Sequence, residues 1–187
     1  LIHLLAKSFF GSFVNYCPKE LLEKVGNECI SPFVIVVFNR LNDGWKGLLE
    51  ATNAGKNEKL EVIEEKMLRD LTREWIQCIG GLFKFENNAG ETGRELMKLM
   101  GVAVPLVYTL LGCFHWPDSL TVRRAVRVAM SVVPAVIASG NAGLCQLVAH
   151  DLFVAALKAI MRRHLQDHHP EIYQLIRDIF VGFFHIS

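Results

Sequence analysis

The sequence contains no stretch of sustained apolar–polar alternation, so a half-buried β-sheet has little to be built from. It also has almost no net charge, +1 over 187 residues, and so no overall field that would gather nucleic acid or an acidic substrate. Its cysteines, Cys17, Cys29, Cys78, Cys113 and Cys145, are odd in number and widely scattered, and no two have metal-ligand spacing. Each lies in or beside an apolar run, which predicts free, buried thiols in a reducing compartment. Gly80-Gly81 lacks the surroundings of a phosphate loop or a dinucleotide fingerprint. Neither Ser119 nor any cysteine has a base and an orienting acid associated with it in sequence. The chain is therefore expected to have no catalytic residues, no cofactor and no enzymatic activity.

What is present is hydrophobe: 51% of residues against 21% charged, which excludes disorder. The chain lacks an initiator Met and a basic leader with a cleavage site, and "IYQLIRDIFVGFFHIS" stops inside an apolar helical pattern. We expect a piece of a longer polypeptide.

The apolar residues recur at helical period. Leu60, Ile63, Met67, Leu71, Trp75, Ile79 and Leu82 are each three or four residues from the last, which predicts one face of a long helix. The charges of "EEKMLRDLTREW" fill the other face, with Glu65 one turn before Arg69 in the favourable order. Punctuation elsewhere is regular. Pro18 opens a helix, Pro32 predicts a break or kink, and "EATNAGKNEK" and "KFENNAGETG" are polar loops. Gly101 and Pro105 divide or kink the next run, "WPDS" supplies an N-cap at Asp118 or Ser119, and "SGNAG" separates two further helices.

Helices of roughly 15 to 25 residues joined by short loops predict an all-α fold, an α-solenoid of antiparallel pairs with the 40-to-47-residue rhythm of HEAT repeats. The expected units are 1–48, 58–114, 118–164 and a half-unit 168–187. Several helices are apolar on more than one side, as middle units of a stack must be.

Leu99 to Pro117 and Val128 to His150 carry no formal charge and approach the roughly 20 residues that cross a bilayer. The first is interrupted by Gly101, Pro105 and Gly112, and the second contains "SGNAG", whose backbone would be unsatisfied in lipid. Buried helices, and no membrane, are the expectation. His164 and His168 with Asp167 and His169 lack a recognisable third ligand position, so no metal site is expected.

The C-terminal part is mildly basic, with 7 Lys and Arg against 5 Asp and Glu from Asp118 onward. Arg123, Arg124 and Arg127 form one cluster there, and Lys158, Arg162 and Arg163 a second. Either could hold phosphates, the sequence-independent part of nucleic-acid binding, or could form a solvated helix face. No aromatic RNP motif or GXXG clamp accompanies them, so any RNA would be read by shape and charge.

"NYCPKELLEKVGNECISPFVIVVFNRLNDGW", then a polar loop and "EEKMLRDLTREW", resembles the later HEAT repeats of the exportin-5 family of karyopherins. The matching elements are Cys17-Pro18, Ser31-Pro32-Phe33, Arg40-Leu41 with Trp45, and Met67 through Glu74. The likeness continues more loosely through "WPDSLTVRR" and the helix after "SGNAG". It implies a superhelical nuclear export receptor, shuttling between nucleus and cytoplasm. Its partners would be Ran-GTP, hairpin precursor RNA or transfer RNA, nucleoporins and some protein cargo. The resemblance transfers no contact residues, because the family's RNA and Ran contacts form no local motif. The alternative is a HEAT-repeat scaffold, or a karyopherin, with protein cargo alone.

Overall fold

The computed structural model describes residues 13, 16–53, 58–83, 89–116 and 118–184. The first twelve residues of the expected unit 1–48, the loop residues 54–57 and 84–88, and Pro117 lie outside them. The described residues are helical, without a strand among them. In chain order they form α1 (Lys19–Val25), a π turn (Gly26–Ile30), α2 (Ser31–Asn53), α3 (Glu58–Leu82) and α4 (Ala89–Leu96). Then come α5 (Met100–His115), α6 (Ser119–Ser139), α7 (Ala142–Gln146) and a second π turn (Leu147–Leu152). The order ends with α8 (Phe153–Ile160), a 3₁₀ turn (Arg163–His168) and α9 (His169–Phe184).

The helix ends follow local chemistry. Asp118 caps α6 by accepting from the Thr121 backbone N–H at 3.0 Å, and Asn141 caps α7 by accepting from Leu144 N–H at 3.1 Å. Gly140 ends α6 at φ 65°, the left-handed position that glycine occupies without steric cost. The disturbance expected at Pro32 takes the form of the π turn just before it. Ser31 N–H reaches back to the Gly26 carbonyl, and Pro32, with no N–H, leaves the next link of the ladder open. Helix α5 begins after a break at Met97–Leu99 and runs through Pro105 without ending.

Two layers result. Helices α2, α5 and α8 pack side by side in one, and α3, α6 and α9 in the other. Across the layers α2 pairs with α3, α5 with α6, and α8 with α9. The pairing is one helix out of step with the expected units 58–114 and 118–164. The turn inside a pair (116–118) and the turn between pairs (140–141) are both short, so loop length cannot tell one from the other.

Helix α5 lies at the centre of this arrangement. Ten of its residues are buried, among them Val102, Leu106, Leu110 and Phe114. Over Met100–His115 the uncharged run is thus a core helix with neighbours on several sides. One continuous helical run among the described residues, Ala142–Ile160, is long and apolar enough to cross a bilayer. Here it contains the second π turn and packs against α5 and α9.

Trp45 ties three helices together. Its ring stacks on Trp116 with centroids 4.8 Å apart, and its Nε1–H donates to Thr72 Oγ1 at 3.2 Å. Thr72, wholly buried, in turn donates to the Leu68 carbonyl at 2.7 Å, so the buried hydroxyl is satisfied.

The stripe of α3 holds at its C-terminal half only. Trp75, Ile79 and Leu82 are buried, but Ile63 is 59% and Met67 68% exposed. Leu68, Thr72 and Ile76 take the inward positions instead. The Leu60 side chain lies outside the described residues. The thiols are free as expected, yet Cys29 in the first π turn is exposed and only Cys113 is fully buried. Burial, aided by Glu74, pushes the Cys78 thiol up to about 11.

Within the expected loop 84–93 the structure forms α4, whose Gly93 abuts the backbone of α3. A Cβ there would collide with the Leu82 carbonyl oxygen and touch the Phe83 ring. Backbone cannot yield as a side chain can, so Gly93→Ala is expected to cost about 1–3 kcal/mol, read as a lowered denaturant midpoint. An unchanged midpoint would show that α4 does not sit against the end of α3.

Candidate functional site

The two basic clusters lie in different layers. Arg123, Arg124 and Arg127 are on α6, which packs against α9. At the start of α9, Glu171 Oε1 accepts from Arg123 Nε at 3.0 Å and from an Arg127 terminal nitrogen at 3.1 Å. Partial burial would raise the Glu171 carboxyl, but the hydrogen bonds and charges of the two arginines outweigh it. The group is held below the usual carboxylate range. Arg123 and Arg127 thus share one counter-charge, and roughly half of their side-chain surface faces solvent. Arg124, half-buried beside them, has no ion pair among the described residues.

The second cluster is at the far end of α8. Arg162 precedes the 3₁₀ turn and donates through a terminal nitrogen to the Phe114 carbonyl at 2.6 Å. A cation so placed satisfies an orphan carbonyl at the end of α5 and complements the helix dipole. Lys158 is exposed on α8, and Arg163 is exposed at the start of the 3₁₀ turn. His115, the last residue of α5, lies near both Arg162 and Lys158. Burial, then these two cations, lower its imidazole below the ordinary value.

Beside this cluster is a cavity of about 430 Å³ between α2, α5 and α8. Phe38, Tyr108 and Trp116 form its aromatic walls, and His115, Asp151 and Lys158 lie at its polar edge. Of these, the sequence marks Lys158 as a contact candidate, and His115 only as half of a weak pair with Cys113. Neither Glu171 nor the cavity was visible, because their parts lie 44 to 48 residues from their partners or on three separate helices. Among the described residues no group of three or more His, Cys, Asp or Glu could hold a metal ion.

The model of the Exportin-5 family matches residues 1–186, all but the last residue of the chain. The chain belongs to that family. Among exportin relatives, it is 21% identical to Exportin-5 of Dictyostelium discoideum, aligned over 99% of this chain and 16% of the relative. It is 25% identical to Protein HASTY 1 of Arabidopsis thaliana, over 96% of this chain and 18% of that protein. The chain therefore spans less than a fifth of the length of these relatives. No solved structure matches it.

Proposed function

We propose that this chain is a segment of a nuclear export receptor that binds Ran-GTP together with structured RNA, hairpin precursor or transfer RNA, and shuttles between nucleus and cytoplasm through nucleoporin contacts. The observation that carries the reading is the Exportin-5 family match over residues 1–186, in a chain whose described residues form an all-α stack. Its work is binding, without a catalytic step. Side chains that reach phosphates in such a receptor hold the A-form backbone and not base edges.

On α6, Arg123, Arg124 and Arg127 are the positions we assign to that contact, with Glu171 as competitor for two of them. Arg123→Ala with Arg127→Ala should then weaken binding alike for unrelated hairpins. It should also flatten the slope of log affinity on log salt by somewhat under one unit per lost phosphate contact. Glu171→Gln removes the competing charge and should strengthen binding. Titration of labelled hairpins across a salt series on the complete protein reads both effects. Unchanged affinity and slope in all variants would show that these arginines only join α6 to α9.

A further inference from the structure

The cavity between α2, α5 and α8 stands apart from the α6 arginines and has its own chemistry. Its volume of about 430 Å³ lies within the range of ligand pockets, about 300–1,000 Å³. Phe38 and Tyr108 meet with centroids 6.4 Å apart, and Tyr108 is half exposed at the opening. Trp116 is buried and held by its stack on Trp45, so this wall is rigid. Gly112 lines the cavity and leaves room that a side chain would fill.

The edge is unevenly charged. Lys158 has no ion pair among the described residues, and Arg162, outside the lining but near enough to His115 to act on it by charge, spends one nitrogen on the Phe114 carbonyl. The one carboxylate at the edge, Asp151, comes from the second π turn and is contacted by the His150 ring at 2.6 Å. Such turns interrupt helices at functional sites more often than elsewhere.

We propose that this cavity docks an acidic peptide, taking one bulky apolar side chain between Phe38, Tyr108 and Trp116 and setting a neighbouring carboxylate against Lys158 and Arg162. Charge complementarity identifies the occupant: Lys158 at the edge and Arg162 behind it, beside His115, outweigh the single carboxylate of Asp151 and favour an anion with an apolar anchor. His115 lines the edge as well and offers the peptide backbone a ring nitrogen as hydrogen-bond partner. The site would let an RNA-carrying receptor hold a protein at the same time, on the other layer.

The test uses the complete protein and a fluorescent peptide with one phenylalanine between glutamates. Controls carry Gln for Glu or Ala for Phe. The acidic peptide should bind at least about tenfold more tightly than either control, the size of one charge-assisted contact or one filled pocket. Lys158→Glu should weaken it about tenfold and favour a peptide with Lys in place of Glu. Gly112→Leu should abolish the Phe dependence, since a Cβ there meets only the Trp116 ring at 3.7 Å and the rest projects into the cavity. Tyr108→Ala, at a half-exposed position, is the second variant should Gly112→Leu lower the melting temperature. Equal binding of the Glu and Gln peptides, or full binding by these variants, would overturn the proposal. So would displacement of the peptide by hairpin RNA whose own affinity falls in Lys158→Glu, which would assign these cations to RNA.

Discussion

Replacing Trp75 by alanine is expected to cost about 3–5 kcal/mol, the range for removing a large aromatic from a packed core. Trp75 is 1% exposed and meets Phe33 edge-on, with centroids 5.7 Å apart and planes at 78°. Phe33 is on α2, so this contact joins the α2–α3 pair. In a stack each helix pair is supported by its neighbours. The loss should therefore also appear as faster hydrogen exchange in α2 and α6, both packed on α3. Denaturant unfolding gives the magnitude. Met67→Ala on the same helix, at a 68% exposed position, should stay within about 0.5 kcal/mol. A Trp75→Ala loss below about 1 kcal/mol would mean that the α2–α3 contact is weak.

Asp118→Ala is expected to cost about 2–4 kcal/mol, because one carboxylate serves two purposes. It caps α6 through the Thr121 N–H and hydroxyl, and it accepts from Arg73 on α3, at 3.0 Å from Nε and 2.8 Å from a terminal nitrogen. Removal leaves a helix end uncapped and a half-buried guanidinium with only the more distant Asp70 carboxylate, 3.8 Å away. Partial burial alone would raise the Asp118 carboxyl. The Thr121 hydroxyl and the bonds and charge of Arg73 outweigh that, and the group is held below its ordinary value. A carboxyl lowered on folding contributes stability above its unfolded value and loses it as pH falls through the folded one. The gap in stability between the wild type and Asp118→Ala should therefore hold from neutral pH down to the ordinary value of 3.8 and narrow as pH falls further through the folded one. Asp118→Asn, which keeps an acceptor for the cap, should lose less. A gap independent of pH would show that the Arg73 link does not form.

The two largest effects differ in how visible they were. Asp118 was readable as a cap from "WPDS" because capping is local, but Arg73 lies 45 residues away and nothing in the sequence joins them. The same limit hid Glu171 from Arg123 and the Phe114 carbonyl from Arg162, each 48 positions apart. Trp75 was placed correctly, while Ile63 and Met67 in the same row were not, for a geometric reason. A strict four-residue spacing gains about 40° per step on a helix of 3.6 residues per turn. From Ile63 to Ile79 the row therefore winds almost to the opposite side. Alternating steps of three and four, as from Leu68 through Thr72, Trp75 and Ile79 to Leu82, remain on one face. Helix type and turn chemistry were legible because both are encoded within a few residues. Pairing order was not, since the turns inside and between pairs look alike.

The most direct test of the account is capture of the complete protein on immobilised Ran locked in its GTP state, with and without hairpin RNA. The account predicts that RNA increases the protein retained and that retention falls when Ran carries GDP: in the proposed receptor the two ligands favour one state, and such a coupling is reciprocal. Retention that is the same with either nucleotide and indifferent to RNA would contradict it.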